Sequence, residues 1–117
     1  MPMNECRHDV PLPPSRIGKV TRTKKIDDSP LVYRVEDDDC FVAPSNPGKA
    51  FLLQKLRLDN GDGLDSGHHE FRVSYYLIAH KHRMRGQWAF GQSAPMMTAE
   101  ELKLIVERMR IKGWLQE

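Results

Sequence analysis

Residues 98–114 constrain the fold more than any other stretch, because the start, the apolar face and the stop of one helix agree there. Thr98 is placed to cap, and Glu101, three residues on, completes a capping box. Glu100 and Glu101 suit the positive end of the helix dipole, and Arg108, Arg110 and Lys112 suit its negative end. Leu102, Ile105, Val106 and Met109 recur at the spacing of a buried stripe. Gly113 is positioned for the left-handed conformation, with Trp114 folding back onto Met109 in a Schellman motif. A helix with one apolar stripe needs a partner layer, and the preceding residues supply it.

Residues 70–79, Glu-Phe-Arg-Val-Ser-Tyr-Tyr-Leu-Ile-Ala, alternate, which puts Phe71, Val73, Tyr75, Leu77 and Ala79 on one face of a strand. This is expected to be the central strand. Gln87 to Gln92 alternate large with small, so Trp88 and Phe90 are expected in the core beside it, with Gly91 leaving room for a close neighbour. The last fifty or so residues therefore read as a β-hairpin followed by a helix.

Earlier segments speak less clearly. Leu31 to Glu36 and Cys40 to Ala43 are rich in β-branched and aromatic residues, and Asp37, Asp38 and Asp39 between them favour a turn, which predicts a short hairpin. Ser45-Asn46-Pro47 then has the grammar of a helix start, and Lys49 to Leu58 contains no β-branched residue, so residues 47–58 lean to helix. Against that, Phe51, Leu52, Leu53, Leu56 and Leu58 wrap around a helical wheel, and Lys55 to Leu58 alternate as a strand does. Asp59 to Gly67 is a loop by composition. Set against a calcium loop, it would place Leu58 and His69 where the first and last carboxylate ligands belong, so a plain turn is the better reading.

From Met1 to about Ser29 there is no apolar periodicity, and Pro11, Pro13, Pro14 and Pro30 withhold ladder donors. Residues 1–29 are expected to be a flexible basic arm and residues 30–117 the folded domain. Residues 11–16 match PxxPxR, a polyproline ligand pattern that is frequent by chance. The fold class expected is a small single α+β domain, an antiparallel sheet with one or two helices; Ala43-Pro44 and Ala94-Pro95 before similar segments allow a ββαββα order.

At 117 residues and 39% hydrophobic, the chain can bury one modest core. Its longest apolar run, Tyr75 to Ala79, is far short of a membrane span, and its start lacks a secretory apolar region, so a cytoplasmic protein with no membrane partner is expected. Cys6 and Cys40 read as free thiols.

The net charge of +2 decides little, but Arg7, Arg16, Lys19, Arg22, Lys24 and Lys25 concentrate positive charge in the arm. A second basic patch, His80, Lys81, His82, Arg83 and Arg85, lies at the tip of the predicted hairpin. Tyr76 and Trp88 on the joined strands could stack bases while Lys81, Arg83, Arg85 and the arm's Arg22, Lys24 and Lys25 meet phosphates. Solvated tip charges over a core of aromatics would give the same pattern.

Metal and catalytic readings are weaker. His69 and His80 flank about ten strand residues, roughly 30 Å, too far to share an ion. Neither histidine pair has local third and fourth ligands, so no metal or other cofactor is assigned. Asp65, His68, His69 and Glu70 could form an acid/base cluster, but no nucleophile accompanies them. The expectation is a nucleic-acid-binding module. A protein-interaction module and a histidine-dependent, metal-assisted hydrolase or nuclease are the alternatives.

Overall fold

The computed structural model describes residues 10–24, 27–59, 69–79, 85–91 and 93–116. Five strands precede one helix: β1 (Val20–Lys24), β2 (Pro30–Ala43), β3 (Asn46–Leu58), β4 (His69–Ile78), β5 (Trp88–Phe90) and α1 (Ala99–Ile111). The strands form one antiparallel sheet in the order β1-β2-β3-β4-β5, so β3, not β4, is central. The class is α+β, but among the described residues the order is five strands and then a helix. Among the described residues no helix is long and apolar enough to cross a membrane.

Three segments depart from the sequence reading. Residues 47–58 are strand: Ala50, Phe51, Leu52 and Leu53 are all buried, and a strand covered on both faces needs the same continuous apolar run that wraps a helical wheel. Asp37, Asp38 and Asp39 do not turn the chain but continue β2, since pairing of a long strand overrides their local preference. They stay partly exposed, and Asp38 accepts from Ser15 Oγ at 2.9 Å and from the Arg16 amide at 2.7 Å. Val20–Lys24, expected within the arm, is a strand that pairs antiparallel with β2, Arg22 opposite Val32 and Lys24 opposite Pro30. Alternation was absent there because only one partner strand orders the segment.

Contacts divide the chain into two units. The helical unit comprises Met1–Pro14, Cys40–Leu53 and Val73–Glu117. Its helix covers a cluster of Phe41, Ala43, Phe51, Leu53, Ile105, Met109 and Trp114. A second cluster joins Ala50 and Leu52 to Tyr76, Ile78 and Trp88, with Val10 and Cys40 packed against it. The helix has the expected caps: Thr98 and Glu101 form the capping box, and Trp114 N bonds to Met109 O at 3.0 Å behind Gly113 at φ 80°.

Its buried face is rotated from the expected stripe. Glu101, Ile105 and Met109 are buried, whereas Leu102 and Val106 are 52% and 47% exposed. The rotation follows from Glu101, whose Oε2 accepts from the Ser45 amide at 2.9 Å and the Ser45 hydroxyl at 2.6 Å, while Oε1 accepts from Thr98 N at 3.0 Å. Burial acts to raise the Glu101 pKa, but these hydrogen bonds outweigh it and bring the value down to about 2.

Strand β5 pairs with β4 as the hairpin reading requires, Trp88 opposite Ile78 and Phe90 opposite Tyr76. Trp88 is core, but Phe90 is 53% exposed because it stands on the last, three-residue strand, with no strand beyond it among the described residues. In β4 the most buried side chains are Ser74, Tyr76 and Ile78, not the face of Phe71 and Leu77. Gly91 meets its expectation: a Cβ there would lie 2.1 Å from the Tyr75 ring.

The second unit, Ser15–Asp39 with Gln54–Arg72, has no helix among its described residues. Tyr33, Val35, Leu56 and Leu58 form its core, with Leu31 against them. In a flat sheet β1 and β4, three strand spacings apart, would stand about 14 Å from each other, farther than an arginine and a threonine reach together. Arg72 Nη1 nevertheless donates to Thr21 Oγ1 at 3.1 Å. The sheet of this unit therefore curls, and the curl makes a cleft.

Candidate functional site

The cleft lies within the helix-free unit and has a volume of about 360 Å³. Alternation sets its lining. Thr21 and Thr23 of β1 pair with Tyr33 and Leu31 of β2, so these four share one face of the sheet. Leu56 of β3 joins that face through the core cluster, and Glu70, Phe71 and Arg72 of β4 close the far side. Arg22 completes the lining.

Two polar pairs hold the far side in place. The Tyr33 hydroxyl donates to Glu70 Oε2 at 2.8 Å. Burial, then the hydrogen bond and charge of Glu70, push the Tyr33 pKa above its ordinary value, so the phenol stays a proton donor across the neutral range. Arg72 donates twice to Gln54 Oε1, from Nε at 2.9 Å and Nη2 at 2.7 Å, in addition to its bond to Thr21. These bonds fix the plane of the guanidinium. Gln54 is fully buried, and its Nε2 has no hydrogen-bond partner among the described residues, a cost of about 1–3 kcal/mol accepted to orient Arg72.

Arg22 and Lys24 stand exposed on β1, the edge strand. Alternation points them to the same side, about 6.6 Å apart. Two cations of this unit have carboxylates: Arg34 bonds Asp59 at 3.1 Å, and Arg57 lies 3.7 Å from Glu36 and 3.9 Å from Asp59. Arg22 and Lys24 pair with no carboxylate among the described residues.

The residues singled out from the sequence are distributed unevenly. His80, Lys81, His82, Arg83 and Lys25 lie outside the described residues. Arg85 is exposed beside Gly86, whose amide closes the β4–β5 hairpin onto Ala79 O at 2.8 Å. Tyr76 and Trp88 are both only 9% exposed, packed with Ile78, Ala50 and Leu52, and core packing accounts for them. The exposed aromatics near them in sequence are Phe90, edge-on to Tyr76 with ring centroids 5.6 Å apart, and Phe71. Of the acid/base set, Asp65 and His68 lie outside the described residues, His69 Nε2 bonds Glu36 Oε1 at 2.8 Å, and Glu70 faces Tyr33. No group of three or more metal-ligating side chains occurs among the described residues.

Sequence reasoning missed Tyr33, Gln54 and Arg72 because they meet across three strands. One signal was present: Gln54 follows directly on the apolar run Ala50 to Leu53 in β3, and a buried amide there needs a partner. Comparison with known protein families, curated proteins and solved structures gives no match, so the functional reading rests on the edge cations and the cleft beside them.

Proposed function

We propose that the protein is a binding module for single-stranded nucleic acid, held along strand β1 of the helix-free unit. The observation that carries this reading is the pair Arg22 and Lys24, exposed on one side of a regular strand with no carboxylate partner among the described residues. Their spacing of about 6.6 Å is of the order of the separation of successive phosphates along a nucleic-acid strand. A β-strand ladder fixes that spacing, which a disordered basic arm would not. The exposed ring of Phe71 in the same unit, in place of the buried Tyr76 and Trp88, is an aromatic surface on which a base could stack.

Filter binding of single- and double-stranded DNA and RNA against salt tests the reading. Affinity for single strands should fall with salt, and the Arg22→Ala/Lys24→Ala double variant should reduce the log–log slope by about 1.4, or 0.7 for each phosphate that is no longer neutralised. Absence of binding at low salt removes the reading. The two cations would then be guards of an exposed sheet edge, a common use of charge on edge strands.

A further inference from the structure

We propose that the cleft of the helix-free unit seats one unpaired guanine of the bound strand, with Glu70 accepting from the base and Arg72 donating to it; this rests on the nucleic-acid reading above. The cleft's volume of about 360 Å³ is at the lower end of the range for small-ligand sites, about 300–1,000 Å³, and suits a purine with its sugar. Its polar wall sets the Arg72 guanidinium beside the Glu70 carboxylate, which suits a ligand that carries both donors and acceptors. Leu31 and Leu56 offer it an apolar floor.

The polar groups select among bases. Guanine is the base with two adjacent donors, N1–H and the N2 amino group, matched to the two oxygens of a carboxylate, and its O6 and N7 are the acceptors an arginine reads. Glu70 and Arg72 are two residues apart on β4, so alternation puts both on one face of the strand, about 6.6 Å apart along it. Both are held before any ligand arrives, Glu70 by the Tyr33 hydroxyl and Arg72 by Gln54 and Thr21. That is the preorganisation selective recognition needs. Gln54 with its unpartnered Nε2 makes sense on this account: a leucine there would fill the core better, but would not aim the guanidinium.

The experiment is a fluorescence-anisotropy titration of the intact protein with a labelled uridine oligonucleotide and with the same oligonucleotide carrying one central guanosine. The guanosine form should bind about tenfold tighter, the size of one good base contact. Glu70→Gln keeps an acceptor for Tyr33, so within this variant the guanosine form should bind no tighter than the all-uridine form. Equal affinity of the wild type for both oligonucleotides, or a preference that survives Glu70→Gln, overturns the cleft assignment while leaving strand binding intact. If neither oligonucleotide binds, guanosine monophosphate is added during two-dimensional NMR. Shifts at Leu31, Leu56 and Phe71 that vanish in Glu70→Gln would uphold the cleft without the strand, and no shifts would overturn both.

Discussion

Strand β3 runs through both units, and the difference between its two stretches separates scaffold from working surface. In the helical unit its residues Ala50, Phe51, Leu52 and Leu53 are buried on both faces, one face under the helix and the other against Tyr76 and Trp88. In the helix-free unit it reads Gln54, Lys55, Leu56, Arg57 and Leu58; Leu56 and Leu58 join the apolar cluster, while Lys55 and Arg57 keep partial solvent access. A layer of helix requires apolar residues at every position beneath it, whereas alternation leaves polar groups free to line a surface. The buried charge of the first unit, Glu101, has a donor for each of its oxygens, whereas in the second unit the buried Gln54 Nε2 has no partner among the described residues. Such an orphan is tolerable only where it positions something else.

The sharpest way to break this contrast is to remove one large side chain from each unit. Phe51→Ala should cost about 3–5 kcal/mol, because the ring is fully buried beneath the helix and packs on Phe41 at 5.6 Å between centroids. Leu56→Ala should fall near the low end of its class, about 2 kcal/mol, since the cleft it lines admits water. Urea titration of both variants checks the order. Equal losses would mean that the cleft is packed as tightly as the helix-covered core.

Glu101 provides the next test. Glu101→Gln has one carbonyl oxygen for donors that now bond two, so either Thr98 N or the Ser45 groups lose their acceptor, at a cost of about 2 kcal/mol. The acid dependence has a defined sign. The folded value of about 2 lies below the ordinary 4.5, so the carboxylate's contribution is complete above about 4.5 and is lost as pH falls toward 2. Melting temperature followed over that window should decline in the wild type and flatten in Glu101→Gln. A parallel decline in the variant would assign the acid sensitivity to other carboxylates.

The smallest effect is expected at Tyr33→Phe, which removes the hydroxyl from Glu70 and leaves the ring in its cluster. Its loss should be about 1 kcal/mol, the ordinary net worth of one hydrogen bond, because Glu70 is exposed and water can replace the phenol. A loss of about 3 kcal/mol or more by thermal denaturation, far above that ordinary worth, would show that the Tyr33–Glu70 pair holds the curl of the sheet.

Local chemistry by itself determined the ends of the helix and the pairing of β4 with β5. Thr98, Glu101, Gly113 and Trp114 act through neighbours no more than five residues away, and Gly91 through one strand beside it, so their roles are written in spacing. Tertiary structure decided which side of the helix is buried, since Ile105 and Met109 fit either stripe and only the bond from Ser45 to Glu101, 56 residues away, selects between them. It likewise decided that residues 46–58 are strand, because a run apolar on all sides satisfies a helix or a strand covered on both faces, and only the presence of two covering layers distinguishes them. The cleft is tertiary throughout: Arg72, Gln54 and Thr21 come from three strands and meet because the sheet curls, a property of many paired strands together that no single segment carries.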